Sequence, residues 1–494
     1  MSGVAPTAIV IRDPTASDDP PVRIAGPPLR NLPKHARYNT VYRRLDYFWG
    51  LGVEHETYVA TSQTRTVRAF DVATLKPERY SVSYYKAYQP AALQAALTEV
   101  LADASAGLVV PILMNNHSFT DADVFGEHRT TYEREPKPNP KFGGQSLYDW
   151  ACQYSAWLRD ERDRVFTWDG DTVEFMTQRF YNARVADVMG ELAAGEDRFV
   201  AELTTLPKRG LLCAYAPLRL AAPRNEPFAT YLTHPRGVAM FNNGTLHVNV
   251  TLPTRLGWNR LPLWWGDFVD KHRRMARLVQ WLEPLWIACY GSGDPFAALT
   301  TNGHRFAAGS QRLAVSRYIG VGTFDTDTMP QGKILQVPRP PAGAIPWYDW
   351  LYARTAYAPL NVIGLDINFY KHGAHGLELR IFDQMSRESL REVLEQIVVL
   401  MDVALARRTV PDPRRHPEWQ TAAGESLYYG AGWRVTPEQI EALTSTLGVD
   451  IAGAKEPMTP RTVLTALMEA LRPQRGWCWR RMIGSGVTGC SCLP

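Results

Sequence analysis

No apolar run in this chain approaches the length that crosses a membrane, so no spanning segment is expected. Cysteine is scarce. Six residues, Cys152, Cys213, Cys289, Cys478, Cys490 and Cys492, are spread irregularly over 494 positions, which excludes a disulfide framework and suits reduced thiols in a cytosol-like compartment. Cys478, Cys490 and Cys492 cluster near the end but lack a clear fourth metal ligand, so they read as free thiols. Neither sign of charge dominates: a net charge of +4 gives no case for nucleic-acid binding. The first forty residues lack the basic, apolar and small-residue order of a secretory signal, so the expected location is cytoplasmic. Without export, the glycosylation-like triplets at Asn116, Asn243 and Asn249 carry no weight. A phosphate loop ending in Gly-Lys-Ser/Thr is missing, so any nucleotide must be held by another fold. The glycine pattern at 484–489 has only five residues after it, too few for the helix that would face a pyrophosphate.

What is present is ordinary in bulk, with 45% hydrophobic and 21% charged residues, enough for one large core or two to three domains. Residues 1–38 are Pro-rich and aperiodic and read as a flexible tail. From 39 to 406 strand-like and helix-like segments interleave without a linker; 133–144 and 338–346 read as loops on Pro and Gly grounds. A shorter helical region follows over 407–474, with helices near Glu438–Leu447 and Thr462–Leu471, and then a flexible Cys-containing tail over 475–494. One helix is clear at 389–405, where Leu390, Val393, Leu394, Ile397, Val398, Met401 and Ala404 form a stripe, with Ser389 and Glu392 as a capping box.

Four segments share one pattern. In "GVEHETYV" a period of two puts Glu54, Glu56 and Tyr58 on one face and Val53, His55, Thr57 and Val59 on the other. Paired carboxylates repel and lose hydration when buried, so they call either for a cation between them or for a solvated edge strand. In "DGDTVEFMT" a turn feeds a strand with Val173 and Phe175 inward and Glu174 opposite. In "GTLHVNVT" Leu246, Val248 and Val250 pack while His247, Asn249 and Thr251 share the other face. In "LELRIFD" Leu377, Leu379 and Ile381 pack, leaving Glu378 and Arg380 together. Repeated four times, the pattern describes a sheet with one polar, site-bearing face. His55 falls on the core side and reads as structural, and Asn115, His117 and His128 receive no role.

Glu54, Glu56, Glu174 and Glu378 with His247 suit hard cations such as magnesium or manganese. An arginine two residues from such a carboxylate suits a phosphate, because its fork donates two bonds to phosphate oxygens. Together these are the parts of a phosphoryl-transfer site using ATP. For Glu378 with Arg380 a structural ion pair is the alternative, and for His247 a buried structural histidine.

In that order, "GVEHE", "DGDTVEFMT", "GTLHVNV" and "LELRIFD" resemble the carboxylate–amine ligase superfamily, which groups glutamine synthetase, glutamate–cysteine ligase and the amidoligases, the last being the nearest. The matches span roughly residues 48–405. The resemblance implies an α+β fold with an antiparallel sheet curved into a half-funnel, helices outside, and a smaller C-terminal helical region. It implies an ATP-dependent carbon–nitrogen ligase that phosphorylates a small-molecule or peptide carboxylate and passes the acyl group to an amine. Glu54, Glu174 and Glu378, with Glu56 beside them, match metal positions; His247 and Asn249 match positions near the nucleotide. Arg380 would steady the transferring phosphoryl group, and Arg317 in "VSRYIGVGTFDT" is a further phosphate or substrate ligand. Asn249 stands where a second histidine is usual, and about 110 residues separate Glu56 from Asp169, more than in compact members. The alternatives are a glutamate–cysteine ligase proper and an inactive nucleotide- or peptide-binding descendant of the fold.

Overall fold

The computed structural model describes residues 9–11, 22–24, 47–68, 80–82, 98, 101–102, 107–120, 145–178, 184–206, 211–224, 226–242, 244–255, 262–293, 300–301, 304–305, 308–310, 323–329, 334–335, 366–369 and 376–484. Arg317, His128, Cys490, Cys492 and the loops expected at 133–144 and 338–346 lie outside these residues.

Two six-stranded sheets organise the described chain. Their strands are β1 (Tyr47–Thr57), β2 (Val59–Val67), β3 (Tyr80–Val82), β4 (Leu108–Met114), β5 (Phe166–Asp169) and β6 (Thr172–Met176), then β7 (Arg219–Leu220), β8 (Glu226–Tyr231), β9 (His234–Asn242), β10 (Thr245–Arg255), β11 (Ile367–Phe369) and β12 (Leu377–Asp383). The site-bearing sheet runs β11-β12-β10-β1-β6-β5, antiparallel throughout. All four motif segments therefore lie side by side in its middle. The other sheet runs β3-β9-β8-β4-β2-β7 and is mixed, with β8 parallel to β4 and β9 parallel to β3. The chain passes from one sheet to the other at Tyr58, one residue beyond the end of β1. The 57–168 segment contributes three strands of this second sheet, β2, β3 and β4, and residues 219–242 the other three.

The α-helices among the described residues are α1 (Asn116–Thr120), α2 (Leu147–Cys152), α3 (Ala156–Asp160), α4 (Val185–Thr205), α5 (Trp265–Tyr290), α6 (Arg387–Ala406), α7 (Pro417–Tyr429), α8 (Pro437–Leu447), α9 (Pro460–Ala470) and α10 (Trp477–Met482). α4 packs on β1 and β6, and α5 on β10 and β12, with α6 against both helices. The inward residues of the motif strands, Val53, Val173, Phe175, Leu246, Val248, Val250, Leu377, Leu379 and Ile381, join the helix stripe of α6 in one core. Burying each such side chain stabilises the fold by about 1.5–3 kcal/mol relative to exposure. This pins the register and so fixes which residues face the other way.

Two boundaries differ from expectation. α6 starts two residues early because Ser386, not Ser389, is the N-cap, accepting a bond from the Ser389 N–H at 3.1 Å. That choice puts Met385 and Leu390, both buried, at the positions that staple a helix start, and it releases Glu392 to pair with Arg461 at 2.8 Å. Part of the expected tail after 475 is ordered. Asp402 accepts bonds from the N–H groups of Gly476, Cys478 and Trp479 at 2.7, 2.8 and 2.9 Å, which caps α10 and buries Cys478. Near the other end, Ile9–Ile11 and Val22–Ile24 pair as short antiparallel strands inside the segment read as a tail.

Candidate metal centre

Register builds the site. β10 lies between β1 and β12, and His247 stands opposite Glu54, Thr245 opposite Glu56, and Asn249 between Gly52 and Glu378. On the far side of β1, Glu56 stands opposite Glu174 of β6. Gly50 and Gly52 share the face with Glu54, so β1 contributes no side chain there beside Thr251 and Asn249. Gly244 opens β10 because a methyl group at that position would sit 2.6 Å from the Glu56 carbonyl oxygen and would strike the Gln384 side chain.

The solvated edge strand is excluded. β1 is an interior strand, and Glu54, Glu56, Glu174, Glu378 and His247 are exposed by only 3, 2, 5, 1 and 0%. So many carboxylates in one buried patch are costly unless compensated. The histidine shows what kind of compensation is required. Thr245 Oγ1 donates its proton to Glu56 Oε2 at 2.8 Å, because the carboxylate can only accept. The same oxygen lies 3.0 Å from His247 Nε2, so it accepts from an Nε2–H group. In the neutral ring Nδ1 then carries a lone pair. It is buried without a hydrogen-bond partner and lies 3.3 Å from a Glu378 oxygen and 3.6 Å from oxygens of both Glu54 and Glu56.

A lone pair facing carboxylate oxygens is repulsive unless a cation sits between them. For a small divalent ion with ligands at about 2.1 Å, neighbouring ligand atoms fall roughly 3.0–3.5 Å apart. The Nδ1–Glu378 separation of 3.3 Å lies in that range and the Nδ1–Glu54 separation of 3.6 Å just beyond it. Two groups of ligand atoms, Glu54–His247–Glu378 and Glu56–Asp169–Glu174, each lie within 4.8 Å of one another. The imidazole is itself held by the hydroxyl on its other nitrogen, as ligating histidines generally are.

Of the residues singled out in the sequence, the structure therefore brings together Glu54, Glu56, Glu174, His247 and Glu378, with Asn249 adjoining. Arg380 Nη1 lies 3.4 Å from Glu378 Oε1, at the rim of the cluster, and its N–H donates to the Asp366 carbonyl at 2.7 Å. Three contributors went unrecognised in the sequence: Asp169, Thr245 and Asn368. Asp169 reads in the sequence as part of a turn signal, yet a two-residue turn pairs it with Thr172 and so returns it to the face of Glu174. Thr245 fell within a motif but not among its ligands. Asn368 Nδ2 donates to Glu378 Oε2 at 3.2 Å from β11, a strand with no motif of its own.

Behind β1, His55 is structural, as its strand parity requires. Its Nδ1 meets Glu196 Oε1 at 2.5 Å and its Nε2 meets Gln384 Oε1 at 2.8 Å, while Gln384 Nε2 donates to the Glu56 carbonyl at 2.7 Å. Burial opposes ionisation of Glu196, but the bonds from His55 and Arg387 outweigh it and hold the carboxyl below its ordinary range.

The fold and site thus define a protein with a buried carboxylate–imidazole patch on an antiparallel sheet. No known protein-family profile matches the chain. Over 405 residues it is 32% identical to "Uncharacterized protein R704" of Acanthamoeba polyphaga mimivirus, covering 80% of this chain and 69% of that one. The chain belongs to the same family as that viral protein. Among solved structures, a bifunctional glutathione synthetase from Pasteurella multocida aligns over 92% of this chain at a TM-score of 0.35 and 10% identity, a likeness too slight to bear on fold or function. The chain spans about half of that protein, 51% of its length. No helix among the described residues is long and apolar enough to cross a membrane.

Proposed function

We propose that the chain is an ATP-dependent ligase that joins a carboxylate to an amine, with divalent cations on the β1–β6–β10–β12 face. The observation that carries the reading is His247 Nδ1, buried without a hydrogen-bond partner and facing oxygens of three carboxylates. Glu54, His247 and Glu378 would hold one ion, and Glu56, Asp169 and Glu174 a second. Magnesium or manganese there supplies charge neutralisation for a nucleotide triphosphate. Arg380, only partly buried at the rim, would donate to a phosphate oxygen, with Asn249 opposite Glu378 on the neighbouring strand. On this reading the antiparallel sheet is the wall of a half-funnel, residues 39–406 form the catalytic unit, and Arg317 reaches the anionic substrate.

The chemistry follows from the parts. A substrate carboxylate oxygen attacks the γ-phosphorus of ATP, ADP leaves, and an amine then displaces phosphate from the acyl phosphate to form an amide or isopeptide. Hydroxylamine should intercept the acyl group as a hydroxamate with ADP and phosphate released, in a screen of amino acids, polyamines and peptides. AMP and pyrophosphate would contradict this chemistry. ATP binding without ADP formation across the screen would make the chain a binding protein instead.

A further inference from the structure

The most exposed ligand in the cluster is Asp169, and it stands in the least supported place. It ends β5, the edge strand of its sheet, beside the two-residue turn Gly170–Asp171. Gly170 has a φ of +54°, a conformation that favours glycine. Among the described residues, no strand pairs with β5 on its outer side, where only Phe166 makes an isolated bridge to Arg162. Four bonds from elsewhere hold the turn instead. The Asn116 N–H donates to the Asp171 carbonyl at 2.9 Å and Asn116 Nδ2 to the Gly170 carbonyl at 3.0 Å. Asn115 Nδ2 donates to Asp171 Oδ1 at 2.6 Å, and the Tyr231 hydroxyl to Asp171 Oδ2 at 2.5 Å. The orientation of Asn115 is not arbitrary: its Oδ1 accepts from the Ser118 N–H at 2.9 Å, which turns its amide toward Asp171.

Asp171, Tyr231 and Asn115 are buried completely or nearly so. A surface turn has no need of a buried carboxyl, which loses its hydration there and keeps only the bonds from Asn115 and Tyr231. Asn115 follows β4 and Tyr231 ends β8, neighbours in the second sheet. That sheet also receives the chain directly from β1, just after Glu56. Both flanks of the Glu56–Asp169–Glu174 group are therefore referenced to one body.

We propose that Asp171, gripped by Asn115 and Tyr231, is a positioning residue for Asp169, so that the second sheet completes the Glu56–Asp169–Glu174 metal site. This rests on the metal reading above and gives the 57–168 segment a task.

Calorimetric titration of the full chain with manganese alone tests it, because the two sites are counted separately. The native chain should take up two ions. Asp171→Leu, similar in size but unable to bond, should keep one ion at native affinity and weaken the other by tenfold or more, the usual cost of losing an outer-shell partner. It should match Asp169→Asn, which removes the ligand itself. Asp171→Asn retains an acceptor for Asn115 and a polar group for Tyr231, and should rescue two-ion binding. Tyr231→Phe keeps the stack on Tyr58 and should weaken only the second ion, which decides the matter if Asp171→Leu fails to fold. Native binding of both ions in Asp171→Leu and Tyr231→Phe would overturn the proposal, as would equal weakening of both. A native chain that binds one ion overturns this inference and leaves the metal reading standing; one that binds none overturns both.

Discussion

At the scale of single residues, the account turns on charge that the fold tolerates only with help. Glu54 lies 3.6 Å from His247 Nδ1 and belongs to the buried acidic patch. Replacing it with Gln removes one of the mutually repelling charges, so the metal-free variant should unfold at or above the native temperature. The native chain should gain about 2.7 kcal/mol at a manganese concentration a hundredfold above its dissociation constant. Glu54→Gln should gain far less. Thermal scans with and without the ion measure both effects, and an equal gain in the variant would remove Glu54 from the ligand set. Arg380→Lys keeps the charge but loses the fork, so ATP turnover should stay impaired; full turnover would assign Arg380 to the ion pair with Glu378 alone.

At the scale of elements, the strands with period-two alternation were readable because each has one apolar face packed under helices, and that face dictates the other. Val53, Val173, Val248 and Leu379 are all at most 1% exposed, so the register cannot slip without exposing them. The second sheet was not readable, because its parallel pairs β8–β4 and β9–β3 join segments far apart in sequence with no local signal. Asp169 was hidden for a different reason: its face is set by the turn, not by the period. The seam between α5 and β10 supplies an element-scale prediction. His272 Nδ1 donates to the Phe268 carbonyl at 2.7 Å and Nε2 accepts from the Leu252 N–H at 3.0 Å, which fixes a neutral ring. Burial, aided by Lys271, lowers its pKa to about 3. The unfolded chain binds this proton near pH 6.5, so the stabilisation is complete above that pH and is lost as pH falls toward 3. His272→Gln should flatten the fall in unfolding free energy by about 1.4 kcal/mol per pH unit between pH 6 and 4 in denaturant titrations. An unchanged slope would mean that the ring is already charged in the folded state.

At the scale of the whole molecule, one apolar core ties the site-bearing sheet to α4, α5, α6 and the C-terminal helices through α10. The polar face, the helix expected at 389–405 and those expected near Glu438–Leu447 and Thr462–Leu471 were legible in the sequence, since these follow from local periodicity and caps, whereas α4 and α5 were not singled out. The sequence did not announce that the 57–168 segment would pair with residues 219–242 in a second sheet, or that Asp402 would cap a helix past 475. Both depend on contacts between distant residues. The central claim is that the His247 face holds a divalent cation, and a crystal structure grown with manganese and a non-hydrolysable ATP analogue tests it most directly. The account predicts an anomalous peak about 2.2 Å from His247 Nδ1, with oxygens of Glu54 and Glu378 in the same shell and a phosphate oxygen completing it. An anomalous map with no peak at this face, and His247 Nδ1 protonated and bonded to Glu378, would contradict it.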